Sequence, residues 1–173
     1  MRIAVCEDEK EIREYIRALL LSCLEKDGIE HEIELFAEGE SLISSGYVPD
    51  ILFLDIEMPG INGIQTAKRL REAGSQSVII FVTAMEEYVF QSFDVGAFHY
   101  LVKPFSTEKF YEVLKKAVSQ VKERELSFRQ NNERERTIEI RNGRLRTKVI
   151  LCDLVYAEVF NREIFLYILM DNL

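Results

Sequence analysis

The sequence predicts an α/β protein: a five-stranded parallel, doubly wound sheet, followed by a partial all-β segment. Three observations carry this reading. Apolar runs alternate with helical patterns five times within residues 1–121. Two of the runs, Ile51-Leu52-Phe53-Leu54 and Val78-Ile79-Ile80-Phe81-Val82, are apolar at every position, as strands covered on both faces must be. Beyond residue 136 the pattern changes to short alternating runs parted by Asn142-Gly143 and Asn161-Arg162, which read as antiparallel hairpins.

The elements follow in order. Ile3-Ala4-Val5-Cys6 is a short buried strand. Glu9 to Lys26 carries Ile12, Tyr15, Ile16, Leu19, Leu20, Cys23 and Leu24 at helical spacing, and Gly28 stops it. Glu32-Ile33-Glu34-Leu35-Phe36 alternates as a more exposed strand, and a short helix occupies Gly39–Ser44. The Ile51–Leu54 strand runs into Asp55. Met58-Pro59-Gly60 turns the chain, and Asn62 to Glu72 is the next helix. Val78–Val82 ends at Thr83, a helix is predicted from Glu86 to Asp94, and Phe98-His99-Tyr100-Leu101 is the fifth strand. Lys103-Pro104-Phe105 breaks it. Ser106 then caps a long helix with Glu108 in its first turn.

Composition bounds the function. The chain has 173 residues, 47% hydrophobic and 30% charged, enough to bury a core and incompatible with wholesale disorder. Three scattered cysteines, Cys6, Cys23 and Cys152, form neither a disulfide scaffold nor a zinc motif. Free thiols in a reducing cytoplasm are the simplest reading. The N-terminus turns acidic at Glu7, unlike a secretory signal. Val149 to Met170 is interrupted by Asp153, Glu158, Arg162 and Glu163, so it is not a membrane span. Net charge is −8: residues 1–121 carry −9, residues 122–150 carry +4 and residues 151–173 carry −3. An acidic body does not bind nucleic acid by itself, and the asymmetry predicts two units with different tasks.

In a doubly wound sheet the site lies at the carboxyl ends of the strands. The residues there are Glu7 and Asp8 after the first strand, Asp55 after the third, Thr83 after the fourth and Lys103 after the fifth. Any one of them alone is an ordinary cap or surface charge. Three converging carboxylates repel and call for a cation, and oxygen-only ligands suit a hard ion such as Mg²⁺. With a hydroxyl and an ammonium beside them, they make a phosphoryl-transfer site of positioning and charge neutralisation.

The segments Cys6-Glu7-Asp8-Glu9, Leu54-Asp55-Ile56-Glu57-Met58-Pro59-Gly60-Ile61-Asn62-Gly63, Val82-Thr83-Ala84 and Leu101-Val102-Lys103-Pro104-Phe105 resemble the receiver domain of two-component response regulators. The resemblance covers residues 1–121 and implies a flavodoxin-like receiver fold. It implies Asp55 as phosphoacceptor, with a sensor histidine kinase as the phosphate source. It implies Mg²⁺ held by Glu7, Asp8, Asp55 and the backbone carbonyl of Glu57. Thr83 and Lys103 would contact the phosphoryl group, and the bond before Pro104 would be cis, orienting Lys103. Thr83, Ala84 and Tyr100 would form the switch, Tyr100 swinging inward as Thr83 moves toward the phosphate past the small Ala84. Such a domain is not a turnover enzyme, although it takes part in its own phosphotransfer and dephosphorylation. Phe105 reads as core, and His31 and His99 as structural.

Residues 122–136 read as a helical linker, ended at Asn131-Asn132. Leu114, Ala117 or Val118, Val121 and Phe128 loosely follow a seven-residue repeat too short for a coiled coil. The segment reads as a solvated linker, with pairing in a homodimer on phosphorylation as the alternative. Residues 137–173 resemble the start of a LytTR-type DNA-binding domain in Ile138-Glu139-Ile140-Arg141-Asn142-Gly143 and Cys152-Asp153-Leu154-Val155-Tyr156-Ala157-Glu158. The resemblance covers only the opening of such a domain and carries over no base-contacting residue. It predicts further strands beyond Leu173, or a second copy covering an open sheet edge that leaves Phe165, Tyr167 and Ile168 unburied. The expected function is a phosphorylation-switched transcription regulator. The alternative is a receiver acting through protein–protein contacts alone, with no DNA binding by this chain. An aspartyl-phosphate phosphatase would need a second aspartate where Glu57 stands. A flavodoxin would need a phosphate-cradling loop after the first strand.

Overall fold

The computed structural model describes residues 1–84, 94–135, 137–142, 145–150, 154–160 and 163–168. They divide into two compact units, residues 1–121 and 122–173. The first contains β1 (Arg2–Cys6), α1 (Lys10–Lys26), β2 (Glu32–Phe36), α2 (Gly39–Ser44), β3 (Ile51–Leu54), α3 (Gly63–Glu72), β4 (Val78–Thr83), β5 (His99–Val102) and the start of α4 (Thr107–Glu135). The strands form one parallel sheet in the order β2-β1-β3-β4-β5. This is the doubly wound arrangement the apolar runs predict. The helix predicted from Glu86 lies outside the described residues except at its end, Asp94, which is helical.

Because side chains alternate along a strand, each strand serves two cores. Ile3, Val5, Phe53, Ile80, Val82 and Leu101 face α1 and α4, packing on Ile16, Leu20, Leu24, Phe110, Leu114 and Ala117. Ala4, Cys6, Leu52, Leu54, Ile79 and Phe81 pack with Leu42 of α2 and Ala67 of α3 on the other side. Phe105 is packed against the first core and its ring stacks on Phe110 at 5.7 Å. That agrees with its reading as core. Helix starts follow their sequence signals. Asn62 and Gln65 form a reciprocal capping box on α3, and the Ser106 hydroxyl accepts from the Lys109 amide at 3.2 Å.

The second unit contains β6 (Thr137–Asn142) paired antiparallel with β7 (Leu145–Ile150), and β8 (Leu154–Phe160) paired antiparallel with β9 (Glu163–Ile168). Three expectations need correction. α4 continues through Asn131-Asn132 to Glu135. Asparagine costs a helix interior well under about 1 kcal/mol, too little to stop a helix that propagates one bond per residue. Asn142 is no free turn residue but pairs with Leu145 at the end of the ladder. The predicted antiparallel hairpins are present, but among the described residues they form two separate two-stranded sheets and not one four-stranded sheet.

Candidate functional site

The sheet delivers its chemistry to one edge through short hydrogen-bonded extensions. The Asp55 amide donates to the Cys6 carbonyl at 2.9 Å, the Glu7 amide to Phe36 at 3.0 Å and the Lys103 amide to Thr83 at 2.9 Å. Glu7 and Asp55 are therefore fixed at adjacent strand ends, with Lys103 beside them. Gly63 lets α3 begin against the site, since a Cβ there would stand 2.0 Å from the Asp55 carbonyl oxygen.

The side chains converge. Lys103 Nζ donates to Asp55 Oδ2 at 2.7 Å and to Glu7 Oε2 at 2.6 Å, with both carboxylates almost wholly buried. Asp55 Oδ1 accepts from the amides of Ile56 at 2.6 Å and Glu57 at 3.3 Å. Asp8 completes the group: Glu7, Asp8 and Asp55 each offer an oxygen, all within 4.8 Å of one another. Burial first, and the neighbouring Asp55 charge next, push the Glu7 carboxyl up to about 7 against the pull of Lys103. Burial works against the Lys103 ammonium, but its bonds to Asp55 and Glu7 prevail and raise its pKa.

The remaining predicted residues fall around this group. Thr83 is fully buried at the end of β4, and Ala84 follows it, exposed. Tyr100 is half-buried on β5 with its ring 6.2 Å from that of Phe81. Glu57 is exposed on the loop after Asp55, and the Lys103-Pro104 bond is cis. His31 Nδ1 lies 2.8 Å from the Ile29 carbonyl just ahead of β2, and the His99 ring nitrogen is 2.9 Å from the Tyr100 amide. A cavity of about 460 Å³ opens beside Lys103, lined by Ile12 and Tyr15 of α1, by Ala84, and by Pro104 and Phe105.

A divalent cation fits this group. Three carboxylates face one ammonium, and Glu7 Oε1 is buried with no hydrogen-bond partner among the described residues. A buried oxygen without a partner is costly, and an oxygen-seeking ion would satisfy it.

Sequence reading missed three contacts. It does not place Lys103 on Glu7, to which its ammonium donates. It overlooked Arg13, whose Nη1 donates to the carbonyls of Glu7 and, at 3.2 Å, Asp8. It overlooked Glu40, whose Oε1 accepts from the Ile61 amide at 3.0 Å. Arg13 leaves a weak signal, a basic residue five positions after an acidic loop. Glu40 reaches 21 residues along the chain and leaves none.

Several known proteins are similar. Sensory transduction protein LytT of Oceanobacillus iheyensis is 38% identical over 118 residues, 64% of this chain and 45% of that protein. The positive alginate biosynthesis regulatory protein of Pseudomonas aeruginosa is 38% identical over 117 residues, 68% of this chain and 47% of that protein. The chain thus spans about half the length of the curated relatives it matches. Among solved structures, response regulator protein TrrA of Thermotoga maritima, in complex with Mg(2+)-BeF, is 36% identical with a TM-score of 0.55, over 67% of this chain and 97% of that one. The response regulatory domain of MrkE from Klebsiella pneumoniae shares the fold, with a TM-score of 0.65 at 24% identity, over 71% of this chain and 99% of that one. No helix among the described residues is long and apolar enough to cross a membrane. The model of the response regulator receiver domain matches residues 3–115, and the chain belongs to that family.

Proposed function

We propose that Asp55 is the phosphoacceptor of a two-component response regulator, taking its phosphoryl group from a sensor histidine kinase. The observation that carries this is the Lys103 ammonium bridging the buried carboxylates of Asp55 and Glu7. An Asp55 carboxylate oxygen forms the new O–P bond as the P–N bond of a phosphohistidine breaks. Lys103 neutralises charge on the transferred group, and the Thr83 hydroxyl donates to one of its oxygens. Glu7, Asp8, Asp55 and the Glu57 carbonyl are the residues that would hold Mg²⁺, which supplies further charge neutralisation at the phosphoryl oxygens when bound. The apolar cavity beside Lys103 suits a docking protein that presents the phosphohistidine.

A phosphoryl group adds roughly 1.5 to 2 negative charges. Thr83 and Lys103 are drawn to it, Tyr100 turns inward beside Ala84, and the surface around β5 and α4 changes. Residues 1–121 are in this reading the receiver and 122–136 the linker. Residues 137–173 open a LytTR-type output that regulates transcription by binding DNA. The LytT relatives support that output, as does the ladder position that sets the basic residues Arg141 and Arg146 opposite each other. A second reading, output through protein contacts alone, is favoured by the net charge of −3 on residues 151–173 and the exposure of Val155, Tyr156 and Phe165.

Incubation with acetyl phosphate and Mg²⁺, followed by intact mass, tests the receiver. One phosphoryl adduct is expected, absent from Asp55→Asn; an adduct retained in that variant refutes the assignment. A salt-dependent gel shift on promoter-sized DNA separates the two outputs.

A further inference from the structure

We propose that Arg13 and Glu40 are positioning residues for the acidic cluster, one for each of the two loops that carry its oxygens. The inference rests on the reading above that the cluster holds Mg²⁺. The cluster itself is Glu7, Asp8 and Asp55, and neither Arg13 nor Glu40 supplies it an oxygen. Glu7 and Asp8 lie on the loop after β1, and Asp55 opens the loop that runs to Asn62. Like charges in the cluster push these loops apart, so something must hold each in place.

Arg13 holds the first. It stands half-buried on α1 and donates from one guanidinium nitrogen to the carbonyls of both Glu7 and Asp8. That fixes the peptide joining the two carboxylate residues and sets a positive charge beside them.

Glu40 holds the second. From the first turn of α2 it accepts the Ile61 amide at 3.0 Å. A Cβ on Gly60 would stand 3.0 Å from each of its carboxylate oxygens, so the carboxylate sits against the Gly60–Ile61 peptide. Gly60 has φ of +77°, and a side chain there would strain the backbone as well as meet Glu40. Gly39 brings α2 close enough for this contact. A Cβ on it would lie 2.1 Å from Thr66 Oγ1 and 3.0 Å from Ile61 Cγ1. The loop is therefore closed at one end by the Gly63 contact with the Asp55 carbonyl and held from outside by Glu40. Mg²⁺ demands near-ideal octahedral geometry, so residues that orient the ligand loops set its affinity.

Calorimetric titration of the full chain with Mg²⁺, alongside thermal melting of the metal-free protein, tests this. Arg13→Ala and Glu40→Ala should each weaken Mg²⁺ binding by about tenfold or more. Glu40→Gln keeps a neutral acceptor for the Ile61 amide and should rescue the affinity. Arg13→Lys keeps the charge and should fall between wild type and Arg13→Ala. It also serves if the alanine variant fails to fold. Glu40 is exposed, so its variants report in either case. The inference is overturned if the folded alanine variants bind as wild type does, or if Glu40→Gln is as weak as Glu40→Ala. If wild type takes up no Mg²⁺, or Asp55→Asn binds it equally well, the metal reading of the cluster has failed, and the inference with it.

Discussion

Residues 1–121 and the β8–β9 hairpin dispose of apolar surface in opposite ways. In the first, both faces of the sheet are covered, and Ile3, Val5, Phe53 and Ile80 on one side and Ala4, Leu52, Leu54 and Phe81 on the other are fully buried. The buried carboxylate side chains among the described residues, Glu7 and Asp55, lie together at one edge. In the hairpin, Val155 is 58% exposed, Tyr156 50%, and Phe165 and Tyr167 41% each. The cause is topological. Parallel strands need crossover connections, and those connections are the helices that cover them. A hairpin closes locally and brings no cover with it. Its stability must come from cross-strand pairs such as Tyr156 and Tyr167, stacked 4.1 Å apart. The first unit should therefore be sensitive to single changes and the hairpin tolerant of them.

The largest effect is expected at Lys103. Lys103→Ala leaves Asp55 and Glu7 buried without their cation and should cost about 3–5 kcal/mol in metal-free urea unfolding. A loss below about 1 kcal/mol would mean that the bridge is no more than a surface pair.

Glu7 gives a pH signature of similar size. Its carboxyl titrates near 7 in the folded chain and at 4.5 when unfolded. Between these values the folded state binds more protons, so stability falls as pH rises from about 4.5 to 7 and levels off above. The contribution is on the order of 3 kcal/mol. Glu7→Gln should lack this slope in metal-free buffer, measured as unfolding free energy against pH.

Gly63→Ala should cost about 1–3 kcal/mol through the clash with the Asp55 carbonyl and should lower the phosphorylation rate as Asp55 shifts. Val155→Thr in the hairpin should change stability by no more than about 0.5 kcal/mol. A larger loss there would show that Val155 is covered in solution, and the contrast between the two regions would have to be redrawn.

The parts of the fold that were legible in the sequence are those set by local chemistry. Ile51–Leu54 and Val78–Val82 announced buried parallel strands because no polar residue interrupts them. Asn62 stands at the predicted start of α3, where the structure finds it in a capping box with Gln65. The same rule placed Glu7, Asp55, Thr83 and Lys103 at one edge, since strand ends carry the site in such sheets. Contacts made at a distance were not legible. Glu40 meets Ile61 only after α2 has packed on α3, and Lys103 finds Glu7 across 96 residues. Asn131-Asn132 misled because its weak local preference is overridden by the helix around it. The two antiparallel hairpins of the last four strands were legible from alternation broken near Asn142-Gly143 and Asn161-Arg162. That the described residues leave them as two separate sheets is a tertiary outcome that alternation does not encode.

The central claim is that Asp55 accepts a phosphoryl group in a metal-dependent reaction. The most direct measurement treats the chain with acetyl phosphate, with Mg²⁺ or with EDTA, traps the acyl phosphate by borohydride reduction, and maps the reduced site by peptide mass. The account predicts a single reduced site at Asp55 that disappears with EDTA. A site elsewhere, or labelling indifferent to the metal, would contradict it.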